Sequence, residues 1–140
     1  MNYKVNPIVN QITQLISGKG VPCDLGCLET EIDLRITRAK ELFPGKSYCV
    51  VSQWTWADID VQSKDAAKFR KSDIKPHFIY ADNVVDDEAR RWRKGSSVTT
   101  TLMVSFNENC IFCTRNTSYI LMGTGTRMSV LPDVYIQLMA

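Results

Sequence analysis

Five cysteines and a single histidine are the most reactive residues of this 140-residue chain, and two of the cysteines form the pair Cys110-Ile-Phe-Cys113. That spacing occurs in zinc knuckles and in thiol oxidoreductases, and each use makes its own demand on the backbone. A zinc knuckle needs a tight turn that brings both thiolates to one side. Here Ile and Phe lie between the cysteines, the flanks favour a strand, and residues three apart on a strand face opposite ways. A thioredoxin-type pair needs its first cysteine at a helix N-terminus, and no helical pattern follows Cys113. Cys23 and Cys27 could join Cys110 and Cys113 in a four-thiolate site; the spacing permits it and the turn chemistry opposes it. The thiols are therefore expected to serve as small buried hydrophobes, with no metal and no other cofactor. Cys27 differs in one respect: in the first turn of a helix capped by Asp24, the helix dipole would lower its pKa. Its only available base is His77. A histidine beside Pro76 at the start of a strand is expected to be structural, and no enzymatic activity is expected.

Gly123-Thr-Gly125-Thr-Arg127 has the look of a phosphate loop, but such loops act through N–H groups at the start of a helix. This one lies between two strand-like segments, so a hairpin turn needing positive φ is the expected use of both glycines. Arg115 and Arg127 could form an anion site at one end of the sheet. The run Asp86-Asp87-Glu88-Ala89-Arg90-Arg91-Trp92-Arg93-Lys94 has an acidic half that can cap a brief helix and a basic half. With Trp92 among four cations, it can grip phosphates while the indole stacks on a base; the other reading is a solvated helix with one aromatic packed inward. Trp54 and Trp56 stand on one face of a strand. Either they build the core or they form an aromatic pair of the kind that anchors interfaces. The polar segment after them predicts that at least one is accessible.

The elements that must position these residues follow from periodicity. Asn6-Pro7 is a cap followed by proline at the first helical position, and Ile8, Ile12, Leu15 and Ile16 recur at helical spacing up to Gly18. A second helix is predicted over 25–43, with acids early, bases late and Glu31–Arg35 at i, i+4. After Gly45 the pattern changes to a strand over 48–56, a short helix near 64–71, a strand at 77–80 and a brief helix from Asp86 or Asp87 to Trp92. Segments 98–106, 110–114, 119–122 and 128–131 then alternate with turn residues, ahead of a last segment at 134–139. The fold expected is a single α+β domain over 1–140, with N-terminal helices packed on a C-terminal antiparallel β-meander.

Composition bounds the rest. The chain is 44% hydrophobic and 23% charged, with 17 basic and 15 acidic residues for a net charge of +2. That balance excludes a polyanion mimic and gives nucleic-acid binding little support. No apolar run approaches the ~18 residues of a membrane span, the start lacks an apolar leader pattern, and an odd number of cysteines fits reduced thiols in a cytoplasm.

Residues 81–127, through Ala81-Asp-Asn-Val-Val-Asp-Asp, Arg91-Trp-x-x-Gly95, Val98-Thr-Thr and Cys110-Ile-Phe-x-Thr114-x-Asn116-Thr-x-Tyr119-Ile-Leu-x-Gly123-x-Gly125-x-Arg127, resemble a family of small proteins of proteobacteria and their phages and prophages. The resemblance carries no catalytic residue over. It implies a non-enzymatic accessory protein that binds a bacterial host protein, with an anti-CRISPR-like inhibitor of a defence complex as the sharpest version. Its contact surface would combine Trp54 and Trp56 with Asp86, Asp87, Glu88, Arg90, Arg91, Trp92, Arg93 and Lys94. A nucleic-acid module using 90–94 is the alternative, and a zinc- or thiol-dependent protein a third.

Overall fold

The computed structural model describes residues 6–140; residues 1–5, part of the stretch without an apolar leader pattern, lie outside them. Helix α1 (Pro7–Ile16) starts as its sequence predicts: the Asn6 side chain accepts the Ile8 N–H at 2.9 Å, with proline at the first position. Strand β1 (Val21–Cys23) follows. The second helix begins later than Asp24. A 3₁₀ turn over Glu29–Glu31 leads into α2 (Ile32–Leu42), and the Glu31 carboxylate accepts the Leu28 N–H at 3.0 Å. The Glu31 N–H in turn donates to Leu28 C=O at 2.9 Å, and the two bonds fix the start at Leu28. Cys27 is left outside the helix in extended chain, bridged to Met122.

The remaining elements are β2 (Ser47–Ile59), α3 (Ser63–Lys71), β3 (His77–Asp87), β4 (Val98–Thr99), β5 (Ser105–Asn107), β6 (Ile111–Cys113), β7 (Thr117–Leu121), β8 (Gly125–Val130) and α4 (Pro132–Leu138). Strand β2 is the axis, and β3 runs antiparallel along one edge of it, with Trp54 opposite Ala81 and Trp56 opposite Ile79. The other edge is shared. Strand β7 lies parallel beside Ser47–Val51, and β8 lies parallel beside Thr55–Ile59.

This corrects the expected antiparallel meander under N-terminal helices. The sheet is mixed, α3 and α4 come from the middle and end of the chain, and the last segment at 134–139 is helical. The reason lies in the length of β2, whose 13 residues give two short strands room on one edge. Parallel pairing needs long crossovers, which the helices and the β3–β6 excursion supply.

The stretch from 98 to 107 makes the sheet curl. Its first half bonds to β3, with Thr100 N–H donating to Ile79 C=O and Met103 N–H to His77 C=O, both at 2.9 Å. Its second half bonds to β6, where Val104 N–H donates to Cys113 C=O at 2.7 Å. Cys49, Val51, Trp54, Trp56, Ile79 and Phe112 fill the inside of the curl. On the sheet's outer side, α2 covers Val50, Ile111 and Ile120, while α1 and α4 cover Ala57, Phe78 and Val130.

Candidate functional site

The two tryptophans of β2 are core residues. Trp54 is 1% and Trp56 4% exposed, so the expectation that one is accessible does not hold. The strand does not end at Trp56; it continues to Ile59 and carries both indoles into the curl. Both ring N–H groups are satisfied, as buried indoles require: Trp54 Nε1 donates to Gly123 C=O and Trp56 Nε1 to Asp58 Oδ1, each at 3.1 Å. Phe106 and Phe112 meet the Trp56 ring edge-on at 4.8 and 5.1 Å between centroids.

The glycines belong to this packing, and not to a hairpin. Strands β7 and β8 follow one another along β2, and residues 122–124 form the step between them. Gly123 has φ +74°, while Gly125 is present for space: a Cβ there would sit 2.4 Å from Trp54 Cδ2. Arg127 and Arg115 do not converge on an anion site. Arg127 forks onto Asp58 at 2.7 and 3.0 Å and lies over the Trp56 ring, whereas Arg115 faces Asp73 at 3.8 Å. His77 Nδ1 shares the same Asp58 at 2.7 Å. Burial would raise the Asp58 carboxyl, but the Arg127 fork, the Trp56 N–H and His77 together hold it below the usual value.

The charged run at 86–94 forms no helix. Strand β3 runs through Asp87, and Arg90 turns the chain with φ +54°. Its acids are internal fasteners. Asp86 accepts the Tyr48 hydroxyl at 3.0 Å, and Glu88 pairs with Lys40 at 3.0 Å. Buried Asp87 accepts the N–H groups of Arg91 and Trp92 at 2.7 and 3.3 Å and the Arg91 guanidinium at 3.2 Å. Arg91 also lies over the Trp92 ring, 4.3 Å from its centroid, and Trp92 packs against the interior. The indole thus offers no open stacking platform. Arg90, Arg93 and Lys94 are exposed and make no ion pair among the described residues.

All five cysteines are buried and free. Cys110 and Cys113 do not diverge: Cys110 sits at the exit of the β5–β6 turn, before the strand alternation begins, and both pack under α2 with Cys27. Cys23 belongs to the interior cluster instead. His77 stands with Asp58 and Trp56, apart from the cluster that holds Cys27. Among the described residues no three His, Cys, Asp or Glu side chains gather at metal-ligand spacing, and no helix is long and apolar enough to cross a membrane.

The open apolar site lies elsewhere. Between α3 and α4 is a cleft of about 430 Å³, lined by Ile59, Val61, Phe69, Ile74, Leu102 and Tyr135, with Ile136 on its rim. Helix α3 buries no residue and lacks a side-chain N-cap; Ile136 is 63% exposed. Four of the nine residues of α3 are cations and one is an acid; of these, Lys68 and Asp65 line the cleft, 3.7 Å apart. Sequence reasoning places α3 but passes over its one large apolar residue, Phe69. The signal for it is that single aromatic in an otherwise polar helix, with Ile74 just beyond.

No curated protein and no solved structure matches this chain. A family model described as a domain of unknown function (DUF6957) matches residues 24–137. The match takes in every element from α2 to the last turn of α4, and with them the whole cleft. The chain belongs to the DUF6957 family.

Proposed function

We propose that this protein is a non-enzymatic binding module whose α3–α4 cleft receives the apolar face of an acidic helical segment of another protein. The observation that carries the reading is the cleft itself: an apolar lining, open to solvent, between two helices of which α3 is basic. A groove of this kind takes anchors at helical spacing, and the net positive charge of α3, with Lys68 on the cleft wall, favours an acidic ligand and speeds its arrival. The resemblance to phage and prophage proteins makes the partner a bacterial host protein, and occlusion of a defence complex the consequence of binding. The reading moves the contact surface away from Trp54, Trp56 and the 86–94 run, whose side chains are largely committed internally.

The test is capture from bacterial lysate with the full chain, followed by cross-linking mass spectrometry. Wild type is compared with Phe69→Asp and Ile136→Asp, and with the triple reversal Arg90→Glu, Arg93→Glu, Lys94→Glu. The expected result is a protein cross-linked to α3 or α4 through an acidic segment and lost in both cleft variants. Protein capture that survives the cleft variants overturns the reading. So does binding of nucleic acid alone that weakens steeply with salt and is lost in the triple reversal.

A further inference from the structure

Cys27 and Cys110 come from distant parts of the chain and meet on one edge of β7. Gly26 N–H donates to Asn109 C=O at 2.8 Å, Cys27 N–H to Leu121 C=O at 2.9 Å, and Leu121 N–H to Cys110 C=O at 2.9 Å. The two cysteines thus flank one residue of β7, and both side chains enter the cluster beneath α2, 5% and 0% exposed. The two thiols are near enough to perturb each other's titration. Arg35 stands beside them, with Nη2 on Glu31 at 3.1 Å and Nη1 facing Glu108 at 3.8 Å. Its Nε is buried with no acceptor, an unusual state for a charged donor.

We propose that Cys27 and Cys110 are a redox pair that closes to a disulfide on exposure to hydroperoxides. The Cys27 thiolate attacks a peroxide oxygen; an S–O bond forms, the O–O bond breaks, and the departing oxygen leaves as water after taking a proton. The resulting sulfenic acid is attacked by Cys110. The S–S bond forms, the S–O bond breaks, and hydroxide departs with the Cys110 proton as a second water. Two thiols lose two electrons, and one hydrogen peroxide is reduced to two waters. The unpartnered Arg35 N–H is the donor that the thiolate, and then the sulfenate oxygen, would take.

Cys27 is the sulfur with access, 5% exposed against 0% for Cys110. Interaction with Cys110 holds the Cys27 thiol below its usual value against the opposing effect of burial, and the nearby Arg35 charge also favours its thiolate. Interaction with Cys27 together with burial pushes Cys110 up. Cys49, by contrast, is pushed up to about 12 by burial and the nearby Asp87. Closure would tie the segment ahead of α2 covalently to the β5–β6 hairpin.

The experiment is titration of the reduced full-length protein with hydrogen peroxide, alkylation under denaturing conditions and peptide mass spectrometry. The expected result is an intramolecular Cys27–Cys110 linked peptide, about 2 Da lighter than the two thiol peptides together, with Cys23, Cys49 and Cys113 alkylated. Cys110→Ser should leave a sulfenate at Cys27 that a dimedone-type reagent traps, and Arg35→Gln should slow its formation. A disulfide through any other cysteine, an intermolecular one, or Cys27 running on to sulfinic acid in wild type with Cys110 still free overturns the proposal.

Discussion

The inside of the curl and the α3–α4 cleft are both lined with large apolar side chains, yet they are finished in opposite ways. Inside the curl the indole N–H groups of Trp54 and Trp56 each have an acceptor, and Asp87 collects four hydrogen bonds from Arg91 and Trp92. Glycine is used there to admit a ring, as at Gly125 against Trp54. In the cleft, Phe69 and Ile74 stay half-buried and Ile136 stays exposed. Among the described residues nothing completes their cover. The difference teaches that the tryptophans of this sequence mark structure, while the apolar residues of α3 and α4, Phe69 among them, mark the unfilled surface.

Truncation at the two places should separate them most widely. Trp54→Ala removes a fully enclosed ring from a tight space and should cost about 3–5 kcal/mol. Phe69→Ala, in a helix with no buried residue, should cost less than about 1 kcal/mol. Urea midpoints at neutral pH measure both. Comparable losses would mean that α3 is as integral as β2, and the contrast would be broken.

A smaller effect comes from acid. Burial would raise the Asp87 carboxyl, but the bonds from Arg91 and the Arg91 and Trp92 N–H groups outweigh it and hold the group below its ordinary value. A carboxyl depressed on folding contributes stability that is complete above its unfolded pKa, about 3.9, and is lost as pH falls through the folded value. Asp87→Asn should therefore cost roughly 2 kcal/mol at pH 7, part of it screened because Arg91 is partly in water. Its deficit against wild type should shrink below about pH 3. A deficit that stays constant from pH 7 to pH 2.5, read from denaturant midpoints, would mean the charge is not what fastens the end of β3.

The local devices were legible in the sequence. The Asn6 cap, the Glu31–Arg35 pair at 3.1 Å, the 63–71 helix and the strand character of 48–56 all follow from neighbours in the chain. Two local signals misled for a physical reason. Asp87 does cap the N–H groups that follow it, as at a helix start, but Arg90 takes positive φ and no helix can propagate. Glutamate at 31 competes with Asp24 for the helix start and wins. Pairing was not legible, because a glycine-rich step between collinear strands and a hairpin turn have the same composition. Only the partner, the unbroken β2, distinguishes them. The cleft was missed because its walls come from three separate stretches, 59–74, Leu102 and 132–136.

The smallest effect on stability belongs to Ile136, and it is the one that sharpens the contrast most. Its side chain is 63% exposed, so Ile136→Asp should change stability by no more than about 0.5 kcal/mol. An anionic apolar dye offers a probe that treats the two regions oppositely. On the native protein it should occupy the cleft, where apolar walls meet the cations of α3. Covering an isoleucine is worth about 1.5–3 kcal/mol, so placing a carboxylate there should weaken the dye roughly tenfold or more, with unfolding unchanged. Trp54→Ala should do the reverse, raising dye fluorescence as loosened packing exposes the interior. If Ile136→Asp leaves dye binding intact, the dye sits elsewhere and the cleft is not the molecule's open apolar surface. If both variants change the signal in the same direction, the cleft is an extension of the core, and the division between a finished interior and an unfinished edge fails.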